Sequence, residues 1–169
     1  MKYTGIFIIF FLSLTIGTYA LNVGDTVNNV SIKDANNKSA SIPDLGKKTL
    51  TIFYTDPDVK DQNDPFADYL KAANLPKTTY RGMGIVNLKD TWLPNSLLRT
   101  LIREKIKKYN ATILTDTDRV LKNKWNLGSC DDKSIVIVID KNRKVLHIHK
   151  GAVPKSDFEK ILNIIKKSL

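Results

Sequence analysis

The chain reads as an α/β sandwich with a mixed central sheet. Three observations predict it. Apolar runs of strand length alternate with apolar stripes of helical spacing along the chain. The run Ser134–Ile139, "SIVIVI", is apolar on both faces after its first residue, the mark of a strand covered from two sides. The chain then closes with a hairpin and a helix, so at least one sheet neighbour must be antiparallel.

Taken in order, Val30–Lys33 and Ala40–Ile42 alternate apolar with polar residues around a polar Asp34–Lys38 turn and predict a small hairpin. Leu50–Thr55 carries β-branched and aromatic residues on both faces and predicts a strand inside the sheet. Asp64-Pro65 predicts a helix start, with aspartate as cap and proline at the first helical position, and Phe66, Tyr69, Leu70 and Ala73 follow at helical spacing towards an end near Asn74–Pro76. Tyr80–Leu88 predicts a second strand. Leu97, Leu98, Leu101, Ile102, Ile106 and Tyr109 form the apolar stripe of a long helix, whose other face carries Arg99, Arg103, Lys105, Lys107 and Lys108. Ala111–Thr115 is a third short strand, and Thr117–Leu127 a third helix with Val120, Leu121 and Trp125 inward and Gly128 at its C-terminal cap. After Ser134–Ile139, the turn Asp140–Arg143 leads into Lys144–Lys150, an antiparallel partner. Ser156 with Glu159 three residues on is a capping box opening the last helix, which turns Phe158, Ile161, Leu162, Ile165 and Leu169 inward.

The first residues have the form of an export signal: Met1-Lys2, an apolar run from Ile6 to Leu14, and Gly17–Ala20 as a small-residue cleavage site. The run is shorter than the roughly 20 residues a spanning helix needs, so residues 1–20 are expected to be removed and no permanent membrane anchor is expected. Residues 21–169 then form one domain, periplasmic or secreted. An exported chain usually pairs its cysteines, yet Cys130 stands alone, which excludes an internal disulfide and a two-thiol redox couple. The formal charge is +10. Residues 21–96 hold nine basic and nine acidic side chains, whereas residues 97–169 hold seventeen basic and eight acidic ones. The basic second half suits an acidic protein or an anionic envelope component; no nucleic-acid-binding motif is present, so nucleic acid is not expected as a partner.

The order of elements resembles the thioredoxin-like superfamily. Val23–Val27 is similar to the "VGD" opening of its exported redoxin-type members, and Asn74–Pro76, Ile85–Asn87, Thr115–Leu127 and Ile137–Lys141 resemble the YtfJ family of periplasmic proteins. The resemblance implies a thioredoxin-like three-layer α/β/α sandwich with a mixed central sheet, here with an N-terminal β-hairpin extension. In catalytic relatives the loop after the first central strand carries Cys-x-x-Cys at a helix mouth, where amides and the helix dipole favour thiolate. Aligned from Ile52 onward, that place falls on Asp58–Asp61. The aspartates Asp56, Asp58, Asp61 and Asp64 are therefore expected to form a degenerate active-site loop that caps the helix start and does no redox chemistry. The cis-proline that shapes the substrate groove of such relatives is also missing: Asp132-Lys133 precedes Ser134.

Cys130 is a catalytic residue only if its thiolate is favoured, and neighbouring Asp131, Asp132, Asp56, Asp58 and Asp61 argue against that. The aspartate loop lacks the glycine and the closing glutamate of a calcium-binding loop. His147 and His149, two apart on one strand face with Val145, lack a visible third metal ligand and suit a polar sheet edge. Trp92 in its loop either anchors a partner, together with Arg99, Arg103 and Lys107, or packs over the core. No cofactor is expected. The reading favoured is a non-catalytic binding or accessory protein of the cell envelope; a one-cysteine peroxidase or reductase using Cys130, or a metal-binding module, are the alternatives.

Overall fold

The computed structural model describes residues 20–169; the expected export signal, all but its last residue Ala20, lies outside the described residues. One seven-stranded sheet is built from β1 (Ser31–Asp34), β2 (Ser39–Ser41), β3 (Thr49–Thr55), β4 (Tyr80–Asn87), β5 (Ile113–Asp116), β6 (Ser134–Ile139) and β7 (Val145–Lys150), in the order β2-β1-β5-β4-β3-β6-β7. β3, β4 and β5 are parallel, while β1 meets β5, and β6 meets β3 and β7, in antiparallel fashion. The hairpin β1–β2 extends the sheet beyond β5, as the sequence predicts. All six residues of β6 are buried, which its apolar run requires at the position between β3 and β7.

Among the described residues four helices cover the sheet: α1 (Asp64–Ala72), α2 (Asn95–Tyr109), α3 (Val120–Lys124) and α4 (Phe158–Lys167). Phe66 and Leu70 of α1 and Phe158, Ile161, Leu162 and Ile165 of α4 pack with Val136 and Val138. Phe66 and Tyr69 lie against Phe158, with ring centroids 5.1 and 5.3 Å apart. A second, larger core holds Leu121, Trp125 and Leu127 with Leu50, Ile52, Tyr54, Ile135 and Ile137. α2 packs Leu98 and Ile102 with Ala35 and Leu88 in a third cluster.

Four local expectations change. In α1, Asp64 is the first helical residue and Asn63 takes the cap position. α3 is shorter than predicted at both ends: the Asp116 carboxylate, at the end of β5, accepts the N–H groups of Val120, Leu121 and Lys122 at 2.7, 3.1 and 3.1 Å and starts the helix there, and Trp125, not Gly128, takes the C-terminal cap before Asn126 turns left-handed. The Ser156 capping box does not form; Lys155–Asp157 is a 3₁₀ turn and Asp157 precedes α4 without a side-chain cap. On α2 the buried stripe is turned towards Arg99, leaving Leu97, Leu101 and Tyr109 46, 47 and 51 % exposed.

Candidate functional site

The parallel strands β3, β4 and β5 end at one edge of the sheet, and the loops that follow them, with the loop before β6, form the candidate site. Asp56, the residue after β3, is fully buried. Its carboxylate accepts the N–H of Asp58 at 3.0 Å and of Asp132 at 3.0 Å, and its own N–H donates to the Lys133 carbonyl at 3.2 Å. Gln62 accepts the Ser134 N–H through Oε1 at 2.8 Å, and the Thr55 and Ser134 hydroxyls meet at 2.9 Å. The backbone from Asp132 to Ser134 is thus hydrogen-bonded to the chain's own Asp56 and Gln62. Burial pushes the Asp56 carboxyl above the usual carboxylate range, although both amide bonds favour its ionised form.

The acidic loop does not act as a unit. Asp56 caps the 3₁₀ turn Pro57–Val59 and not α1, a correction to the expected helix capping. Exposed Asp58 accepts a hydrogen bond from the Thr91 hydroxyl at 3.2 Å, exposed Asp61 contributes its carbonyl to the Asp64 N–H at 3.1 Å, and Asp64 pairs with Lys105 at 3.7 Å. The start of α1 is held instead by Asn63, whose side chain donates to the Gly151 carbonyl at 3.0 Å and accepts the Val153 N–H at 2.8 Å.

Cys130 is fully buried, its sulfur 3.5 Å from the Gly128 carbonyl. Burial pushes the thiol pKa up; Lys122 and Lys150 oppose this, and Asp90 and Asp116 reinforce it. The carboxylates that matter are therefore Asp90 and Asp116, not the neighbours in sequence. Asp116 accepts the Tyr54 hydroxyl at 3.0 Å, and burial followed by that charge raises the Tyr54 pKa far above its ordinary value. Asp90 is ringed by Arg119 (Nε at 2.6 Å), Lys122 at 3.0 Å and Asn87. Burial alone would raise its pKa, but these three donors hold it at about 2.

Sequence reasoning missed Tyr54, Asn63, Asp90, Asp116 and Arg119, because each acts on a residue from another element. Two of them carried a local signal: Asn63 and Asp116 are residues of helix-capping type placed just ahead of α1 and α3. Trp92 stands 85 % exposed on the loop after β4, so it does not pack over the core. Arg99 is corrected outright: it is buried, donating to the Asp34 carbonyl, Asn37 Oδ1, Thr115 Oγ1 and Thr117 Oγ1 at 2.8 to 2.9 Å. Arg103 is exposed but donates to the Ala35 carbonyl at 3.1 Å, and Lys107 is exposed.

His147 and His149 are half-buried on β7. A bulge at Leu146 pairs His147 with Val138 and Val145 with Ile139, so Val145 faces the opposite layer from the histidines. His149 Nε2 lies 2.9 Å from the Ala152 carbonyl, and burial lowers the His147 pKa. Among the described residues no three His, Cys, Asp or Glu side chains are grouped so as to hold a metal ion.

Residues 25–168 match the profile of a family described as a bacterial protein of unknown function (YtfJ_HI0045). The uncharacterized protein YtfJ of Escherichia coli K12 is 26 % identical over 113 residues, covering 65 % of this chain and 60 % of that protein. The exposed lipoprotein thioredoxin Etrx1 of Streptococcus pneumoniae TIGR4 superposes with a TM-score of 0.62 at 15 % identity, covering 83 % of this chain and 99 % of that one. A peroxiredoxin-like protein from Aquifex aeolicus gives 0.60 at 15 % identity, covering 89 % and 90 %. The fold is thioredoxin-like.

Proposed function

On the premise that this chain belongs to the bacterial YtfJ_HI0045 family, we propose that it is a binding or accessory protein of the cell envelope, built on a thioredoxin-like scaffold without thiol–disulfide exchange. The observation that carries this reading is the state of its one cysteine: Cys130 is buried with a raised pKa, so its nucleophilic thiolate is disfavoured twice, by lack of access and by the desolvation of its charge. Asp58 and Asp61 at the place of the thiol pair cannot exchange disulfides. The internally bonded Asp132–Ser134 backbone supports the same reading, because a substrate segment would have to displace Asp56 and Gln62 to pair there. The envelope assignment rests on the signal-like residues 1–20.

The test is turnover. Insulin reduction with dithiothreitol and peroxide consumption with an external thiol are expected to run at the uncatalysed rate, and Cys130→Ser is expected to leave both unchanged. Catalysis abolished by Cys130→Ser would instead establish the one-cysteine enzyme.

A further inference from the structure

The large hydrophobic side chains exposed among the described residues are Val23, Trp92, Leu97, Leu101 and Tyr109, and all but Val23 fall between residues 92 and 109. Leu97 and Leu101 are one turn apart on the outer face of α2, and that row continues to Lys108, whose ammonium lies 5.1 Å from the Tyr109 ring centroid. Trp92 projects from the loop that leads into the helix. Glu104 is the only carboxylate in Asn95–Tyr109, against exposed Lys107 and Lys108, exposed Arg103, which donates to the Ala35 carbonyl, and half-exposed Lys105, which pairs with Asp64. The inner face is fixed by Leu98, Ile102 and the four hydrogen bonds of Arg99, so the outer residues are presented by a held element.

We propose that the outer face of α2, with Trp92, docks reversibly on an anionic phospholipid surface. This rests on the binding-protein reading above and names its partner. The anchors stand on a convex helix and a projecting loop, and a bilayer interface adapts to such projections, whereas a protein partner would need a matching groove. An indole settles at the headgroup level, leucines enter the acyl boundary, and lysine stems run along the apolar surface while their ammonium groups reach lipid phosphates. Basic residues close to an anionic leaflet add attraction that salt screens. Among the described residues no helix is long and apolar enough to cross a membrane.

The experiment is vesicle co-sedimentation of residues 21–169, which contain every strand and helix described above and omit the apolar run at residues 6–14. Vesicles of phosphatidylcholine alone are compared with vesicles holding about 30 % phosphatidylglycerol, where binding is expected to be roughly tenfold tighter. Leu97→Ser with Leu101→Ser, Lys107→Glu with Lys108→Glu, and salt at about 0.5 M should each reduce binding roughly tenfold. Thermal unfolding verifies that the variants fold. Trp92 fluorescence should shift to the blue on binding, a shift that Trp92→Phe removes while buried Trp125 remains. Binding that ignores phosphatidylglycerol, survives both double variants, or is absent overturns the proposal. So does a dimer dispersed by Leu97→Ser with Leu101→Ser, which would make a second copy the occupant. Redox turnover would overturn the binding-protein reading alone, and indifference to vesicles this proposal alone.

Discussion

Asp56 and Asp90 stand just past the ends of the adjacent strands β3 and β4 and are driven in opposite directions. Asp90 ionises about 2 instead of the ordinary 3.8, so its contribution to stability is present above pH 3.8 and is lost as pH falls through about 2. Asp56 has a raised folded-state value, so its linkage term favours folding below 3.8 and is lost as pH rises through that raised value. Urea unfolding of Asp90→Asn between pH 2 and 4 is therefore expected to show a flatter acid limb than the parent chain. Asp56→Asn should flatten the decline that begins near pH 4, whatever it does to absolute stability by placing an amide donor against the N–H of Asp58 or Asp132. Parent and variant curves that run parallel in these windows would show that neither carboxyl is perturbed. The sequence showed the aspartates but not their directions, since Arg119, Lys122 and Asn87 reach Asp90 from outside its local stretch.

At the scale of elements, what was legible depended on how local the cause was. The β6 run and the β6–β7 hairpin are written in consecutive residues and form as predicted. The starts of α1 and α4 were misread because the chain satisfies them otherwise: Asn63 reaches across to Gly151 and Val153, and a 3₁₀ turn leads into α4. Arg99 is the sharpest case. By composition it belongs to a solvated lysine-rich face; in the fold it ties α2 to the β1–β2 hairpin through Asp34 and Asn37 and to β5 through Thr115. Arg99→Met keeps the stem and strands the acceptors, and is expected to cost about 2–4 kcal/mol in urea unfolding. Arg99→Lys should recover little, because a single ammonium cannot span the fork of partners. Hydrogen exchange in β1 and β2 should rise more than in β6; a uniform change would mean that the guanidinium does not hold the hairpin.

For the whole molecule, the thioredoxin-like fold was legible from element order, and the lack of a Cys-x-x-Cys pair from a single count, one cysteine. The depth of that cysteine was not legible, because it depends on strands and loops that converge only in the folded chain. Enclosure makes Cys130 a reporter of the entire fold. A thiol with no exposed surface reacts only through opening, so its labelling rate is the intrinsic rate multiplied by the population of open molecules. At pH 8, Ellman's reagent is expected to label the native chain at least ~10³-fold more slowly than the urea-unfolded chain, given the usual stability of a domain of this size. Below the unfolding midpoint, the logarithm of the rate should climb linearly with urea at a slope approaching the equilibrium one if global unfolding is the exposing event, and at a shallower slope if only the Gly128–Asp132 loop opens. In both cases the native thiol is a poor nucleophile. Fast labelling independent of urea, with a half-maximal pH below about 7, would show an accessible thiolate at this corner of the fold and favour the one-cysteine enzyme over the binding protein.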